Sequence, residues 1–214
     1  MKQTISIIAA LFLFTFAGIA QDDAKANEVL KKASEKMEGY KTLKIKFGVT
    51  ITTPDEDPIS QKGVIKIKGD KYHLDITDQE VFCDGVNITT YLKEDNECYK
   101  SKVEDQEEDM MSPEELLTIW EKGYKKKYDG EQEYAGEQCH VIFLYPTNPK
   151  ESKFHTVKLL INKNSNEVVY VYLKGKDGTN MKYKLVEMER DVEMPDQIFE
   201  FDPAQHPGVE CFDE

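Results

Sequence analysis

Residues 42–51 read Thr-Leu-Lys-Ile-Lys-Phe-Gly-Val-Thr-Ile, and their alternation decides the fold. Leu43, Ile45, Phe47, Val49 and Ile51 share one parity, while Lys44, Lys46 and Thr50 share the other. Successive side chains of a strand point to opposite faces, so the stretch predicts a strand with one apolar and one solvated face. Gly48 interrupts the polar series and predicts a bend or a close backbone approach. An apolar face this regular has to be covered by a second sheet, by helices or by a ligand.

Just upstream, Ala26, Val29, Leu30, Ala33, Met37 and Tyr40 recur at three- and four-residue steps. That is one stripe of a helix from about Ala24 to Glu38, ended by Gly39, and suited to capping a sheet. Farther upstream, Lys2, the apolar run Ile5–Phe16 and the small residues 17–20 follow the pattern of a secretory signal peptide cleaved after Ala20. The run is shorter than the ~20 residues of a membrane span. No Cys follows the small residues, so a lipid attachment point is not expected there. The expected organisation is a signal peptide at 1–20 and a single domain at 21–214.

Downstream, short alternating segments succeed one another with tight turns and no helix between them. Gln61–Lys68, Lys71–Ile76, Glu80–Cys83, Val86–Leu92 and Glu97–Lys102 are separated by Gly69-Asp70, Asp84-Gly85 and Glu94-Asp95-Asn96. This predicts an antiparallel meander. After the acidic stretch 104–109 and Met110-Met111, the sequence Ser112-Pro113-Glu114-Glu115 has the form of a capping box. It predicts a mid-chain helix carrying Leu116, Leu117, Ile119 and Trp120 and ending near Gly123. Tyr124–Tyr128 is a basic-aromatic strand or turn, Gln138–Tyr145, Phe154–Asn162, Val168–Leu173 and Thr179–Glu187 supply further strands, and Ile198–Phe201 alternates briefly. The fold class is therefore mainly β with a helical lid (α+β): an antiparallel open or half β-barrel of about ten to eleven strands. An N-terminal helix and a mid-chain helix cover it, because a sheet this large curls.

The chain has 214 residues with a net charge of −13, which argues against binding nucleic acid or an anionic surface through general electrostatics. Cys83, Cys98, Cys139 and Cys211 allow two disulfides in three connectivities, or free thiols; their spacing is not that of a zinc site. His-Glu-x-x-His, Gly-x-Ser-x-Gly, a phosphate loop and a dinucleotide fingerprint do not occur. The four histidines (73, 140, 155 and 206) would have to be gathered by the fold to hold a metal. No catalytic residue, metal site or cofactor is expected. What remains is a surplus of apolar side chains on one sheet face. Phe47, Tyr72, Phe82, Tyr91, Tyr99, Phe143, Tyr170, Tyr172 and Tyr183 are expected to form its aromatic part.

The order of these parts resembles the LolA-like periplasmic carriers of outer-membrane lipoproteins, in their Bacteroidetes form. The resemblance rests on Ala26-x-x-Val29-Leu30 through Met37-x-x-Tyr40, Phe47, Lys62–Tyr72, Asp84-Gly85 and Ser112-Pro113. In the second half it rests on Leu144-x-Pro146, Lys176–Thr179, Phe199-x-Phe201 and Pro207–Glu210. It implies a monomeric, non-catalytic periplasmic chaperone that shuttles the acyl chains of lipoproteins from the inner to the outer membrane. Its partners would be acylated lipoproteins, an inner-membrane lipoprotein-releasing transporter and an outer-membrane acceptor, with no nucleic acid. The cavity would be lined by Leu43, Ile45, Phe47, Val49, Ile65, Ile67, Tyr72 and Leu74, and closed by Leu116, Ile119 and Trp120. A binding or regulatory scaffold of the cell envelope is the alternative on the same half-barrel. The resemblance also implies an arginine near the start of the sheet that latches the lid. This chain's one arginine is Arg190, so Lys62 or Lys66 is the cation available in that region.

Overall fold

The structure is a computed structural model and describes residues 17–105, 116–121 and 123–213. Helix α1 spans Ala17–Glu38. Twelve strands follow: β1 Leu43–Thr52, β2 Ile59–Lys68, β3 Lys71–Ile76, β4 Gln79–Cys83, β5 Asn87–Leu92 and β6 Glu97–Lys102, then β7 Tyr124–Tyr134, β8 Glu137–Pro146, β9 Phe154–Asn162, β10 Val168–Gly175, β11 Asn180–Arg190 and β12 Glu210–Asp213. They make one sheet in the order β12-β6-β5-β4-β3-β2-β1-β11-β10-β9-β8-β7. β1 lies between β2 and β11, antiparallel to both, and so joins the meander β2–β6 to the meander β7–β11. β12 and β7 end the order without pairing to each other, so the sheet is open.

Two expectations are corrected here. Among the described residues the strand count is twelve, because β12 adds itself parallel to β6 at the edge. The segment 198–201, whose residues alternate briefly in sequence, enters from a 3-10 turn at Asp196–Phe199 and is not a strand. Asp196 there accepts from both Lys68 (2.6 Å) and Lys71 (2.9 Å), which tethers the turn to the β2–β3 hairpin. Of the mid-chain helix, Leu116 and Leu117 are helical and a turn follows at 118–120; Met110, Met111 and the Ser112–Glu115 capping box lie outside the described residues.

The predicted stripe of α1 packs as a stripe should. Ala26, Val29, Leu30 and Ala33 are fully buried against Ile142, Leu144, Val157, Leu159, Ile161, Val168 and Val171 of the β8–β10 inner face. Each buried Val or Leu contributes roughly 1.5–3 kcal/mol. Ile119 and Trp120 complete this core. Trp120 Nε1 donates to Ser34 Oγ at 2.9 Å, and Ser34 Oγ donates to Glu121 Oε1 at 2.8 Å, so the 116–121 segment is bonded to α1.

The outer face is covered differently at its two ends. Over β4 and β5, the C-terminal segment lays Phe201 against Phe82 and Tyr91, and His206 against Tyr91. Cys98 and Cys211, opposite each other in the β6–β12 register, form a disulfide, while Cys83 and Cys139 are buried thiols. Under β8 and β9, Cys139, Val141 and Leu160 form a small cluster beneath Tyr134, Phe143 and Tyr170.

Candidate functional site

Beyond the edge of α1 the inner face is not filled. A cavity of about 400 Å3 lies between the sheet and the 116–121 segment. Ile45 and Phe47 enter it from β1, Ile65 from β2 and Leu74 from β3. Leu116 and Leu117 bound it from the segment, and Val171 and Leu173 from β10. Met181, Tyr183 and Leu185 of β11 finish the wall, with Lys153 and Phe154 at one end. Among the described residues of that lining Lys153 is the one that carries a charge.

The register explains why these side chains converge. β1 and β2 pair without interruption from Leu43 opposite Ile67 to Ile51 opposite Ile59. Ile45 therefore faces Ile65, and Phe47 faces Gly63. That glycine makes room for the phenyl ring, since a Cβ there would lie 2.8 Å from Phe47 Cζ. On the other side the pairing shifts between Lys46 and Phe47, so that Lys46 opposes Glu187 and Phe47 opposes Leu185. Val186 is the extra residue of this β-bulge. The bulge sits on β11 rather than at Gly48, and the parity of β1 survives it.

Of the side chains expected at the site, Ile45, Phe47, Ile65, Leu74 and Leu116 meet in this cavity. Leu43 and Ile67 line a neighbouring pocket, also about 400 Å3, shared with Met37, Tyr40 and Leu117. Tyr72 packs on the Leu43–Ile45–Ile65–Ile67 cluster. Val49 is buried but borders a groove centred on the opposite face. Ile119 and Trp120 do not reach the cavity, because both belong to the packed core under α1. The β10 and β11 walls are the part missed. Their signal was the alternation Met181-x-Tyr183-x-Leu185, whose parity matches that of β1.

The aromatic surplus is corrected as well. Phe47, Tyr72 and Tyr183 belong to the inner side. Phe82 pairs with His73, and Phe143, Tyr170 and Tyr172 pair with or flank outward residues, so these four face outward. Burial pushes the Tyr72 hydroxyl up to about 12 and raises that of Tyr183, so both stay protonated. The Tyr183 hydroxyl points to Met181 Sδ at 3.6 Å. The cavity offers apolar surface, and among the described residues its lining holds no nucleophile beside a base. Among the described residues no three His, Cys, Asp or Glu are grouped to hold a metal.

Among the described residues the latch expected by resemblance is not made by Lys62 or Lys66. Lys62 and Lys66 pair in register with Gly48 and Lys44, on the outward parity, and cannot reach the inner face. Arg190 sits at the end of β11 and binds Glu167. Among the described residues no helix is long and apolar enough to cross a membrane.

An antiparallel sheet left open, with a helix on half of its inner face and an apolar cavity on the rest, is the class of architecture these observations define. No known family's sequence profile matches the chain. It is 27% identical over 205 residues to an uncharacterized protein of Methanocaldococcus jannaschii, in a match covering 93% of this chain but 58% of that relative's length. Its fold is shared with an uncharacterized conserved protein from Thermus thermophilus, at a TM-score of 0.59 and 10% identity over 89% of this chain and 99% of that one. Solved structures that it resembles more distantly include a LolA superfamily protein from Nitrosomonas europaea. That match has a TM-score of 0.45 and 13% identity, over 82% of this chain and 97% of the other.

Proposed function

We propose that this protein is a non-catalytic carrier of acyl chains, and that its cargo is the lipidated N-terminus of lipoproteins moved across the periplasm. The observation that carries this reading is the cavity. Its volume falls within the ~300–1,000 Å3 of ligand sites, and aliphatic and aromatic side chains from six strands and the 116–121 segment line it. A packed core would have closed that space, because interiors leave few voids larger than a water molecule. Each methylene hidden from water is worth about 0.8 kcal/mol, so an exposed acyl chain costs on the order of ten kcal/mol. A shuttle has to offer a surface of similar apolarity.

In this reading the residues 1–20 direct export and are removed. An inner-membrane transporter loads the carrier, and an outer-membrane acceptor unloads it. The test is to purify the protein from an envelope fraction and to identify bound species by mass spectrometry. In parallel, its ability to release lipoprotein from inner-membrane vesicles is measured. Co-purifying acylated peptides together with release support the carrier. A protein that is persistently empty and releases nothing overturns it.

A further inference from the structure

The outer face of the sheet carries its own pattern. In a chain of net charge −13, lysines collect there. Lys62 of β2 and Lys184 of β11 stand directly on either side of Gly48 of β1. Strands lie about 4.8 Å apart, so the two lysine backbones are roughly 10 Å apart with no side chain between them. Gly48 is not held in a left-handed conformation. A Cβ at that position would meet nothing nearer than the Gln61 carbonyl oxygen at 3.8 Å. Neither backbone geometry nor crowding requires glycine here, and what its missing side chain leaves is a groove.

That groove, of about 750 Å3, runs on past Val64 to Val186. Val186 is the bulge residue and is 74% exposed. Lys46 and Lys93 on the same rim are paired with Glu187 (2.7 Å) and Asp75 (2.6 Å). Among the described residues no carboxylate lies within ion-pair distance of Lys62 or Lys184. Farther along the face, Lys182 and Lys174 lie over the Tyr172 ring at 5.3 and 5.4 Å, and Lys158 lies over Phe143 at 5.9 Å.

We propose that this lysine-rimmed face docks the protein on an anionic phospholipid bilayer. The chemistry is that of a membrane interface. Lysine ammonium groups lie over aromatic rings, and an exposed valine stands at the groove on the same face. Headgroup phosphates settle over Gly48, between Lys62 and Lys184, and Val186 enters the headgroup layer. The overall acidity opposes attraction through general electrostatics, so the contact is a local one. Charges are screened beyond about 10 Å at 0.1 M salt, so carboxylates elsewhere count for little against lysines in contact. The inference stands apart from what the cavity holds, since it uses the opposite side of the sheet.

The test is flotation with vesicles of phosphatidylcholine alone and of phosphatidylcholine with phosphatidylglycerol, at low and high salt. The parent and its variants share residues 5–16, so any contribution of that apolar run is common to all. The parent is expected to float only with the anionic vesicles and to be released by high salt. Removing a lysine at such a surface lowers partition about fivefold, so Lys62→Gln with Lys184→Gln lowers it about 25-fold. Gly48→Thr fills the groove and lowers partition with no loss of thermal stability. Equal flotation of parent and double variant overturns the proposal, and so does equal binding to neutral vesicles. Lysine-dependent retention on polyglutamate or single-stranded DNA without vesicle binding overturns it too, in favour of a polymeric acid.

Discussion

Arg190 grips both carboxylate oxygens of Glu167, with Nε donating to Oε1 at 2.6 Å and Nη2 to Oε2 at 2.5 Å. Tyr40 donates its hydroxyl to the same Oε1 at 2.7 Å, and the guanidinium lies 5.9 Å from the Tyr40 ring. Three distant parts of the chain are joined at this point: the exit of α1, the β9–β10 turn and the end of β11. Glu167 is 5% exposed, so its charge depends on these partners.

Replacing Arg190 with Met is expected to cost about 2–3 kcal/mol in urea unfolding. Breaking a fully buried pair costs ~3–5 kcal/mol, and the Arg190 side chain is 40% exposed, which lowers the figure. Arg190→Lys should recover little, because an ammonium group lacks the planar fork that engages both oxygens.

The same pair sets an acid limit. Burial alone would raise the Glu167 carboxyl, but bonds from Arg190 and Tyr40 outweigh it and hold the group below its ordinary value. A depressed carboxylate stabilises the fold above its unfolded value near 4.5, and that contribution is lost as pH falls through the folded value. The parent should therefore weaken below about pH 4.5. In Arg190→Met burial prevails, the carboxyl rises, and stability should increase on going from pH 7 to pH 5. Denaturant midpoints across that range check both signs.

Phe47→Glu should abolish acyl binding and leave the protein folded. The ring lies at a cavity wall, where a carboxylate can stay hydrated while the groove is empty. Leu159→Glu is the control, since Leu159 has no exposure in the α1 core and a charge there should unfold the domain. A melting temperature within a few degrees of the parent, with loss of a fluorescent fatty-acyl probe, is the expected result for Phe47→Glu. Unfolding of both variants would place Phe47 in an ordinary core.

The Cys98–Cys211 bridge spans 113 residues of sequence. In the chain-entropy description a loop of that length stabilises by roughly 5 kcal/mol. Cys211→Ser should lower the melting temperature by about 10–20 °C. Cys83 and Cys139 are buried, with thiols raised by burial, and should react with a thiol reagent only after unfolding.

How far the sequence could be read follows from which distances matter. The β1 alternation and the Asp84-Gly85 turn are local, and both are where the sequence put them: Asp84 Oδ1 accepts from the Val86 and Asn87 amides and closes the hairpin. The 26-29-30-33 stripe is local too. The facing of the aromatic residues was not legible, because it is set by register: Phe82 turns outward since it opposes His73 and not Tyr72. The cavity wall from β11 needed the knowledge that β1 pairs with a strand about 140 residues away. Ile119 and Trp120 carry the apolarity of a lid, yet the Trp120–Ser34 bond draws them under α1 and leaves Leu116 and Leu117 over the groove. The parallel pairing of β12 left no local trace at all.

The open sheet ends in two unlike borders, and each has its own guard against strand-by-strand polymerisation. β12 has only four residues, begins and ends in an acid, and is riveted to β6 through Cys211, so it presents a short template to another chain. β7 is longer, but it carries Lys125, Lys126, Lys127, Asp129, Glu131 and Glu133, and a register shift between Tyr128 and Glu131 breaks its edge. Charge, brevity and bulges are the devices by which exposed edges escape cross-pairing. An open sheet need not be a sticky one: both of its free borders are built against pairing with another strand.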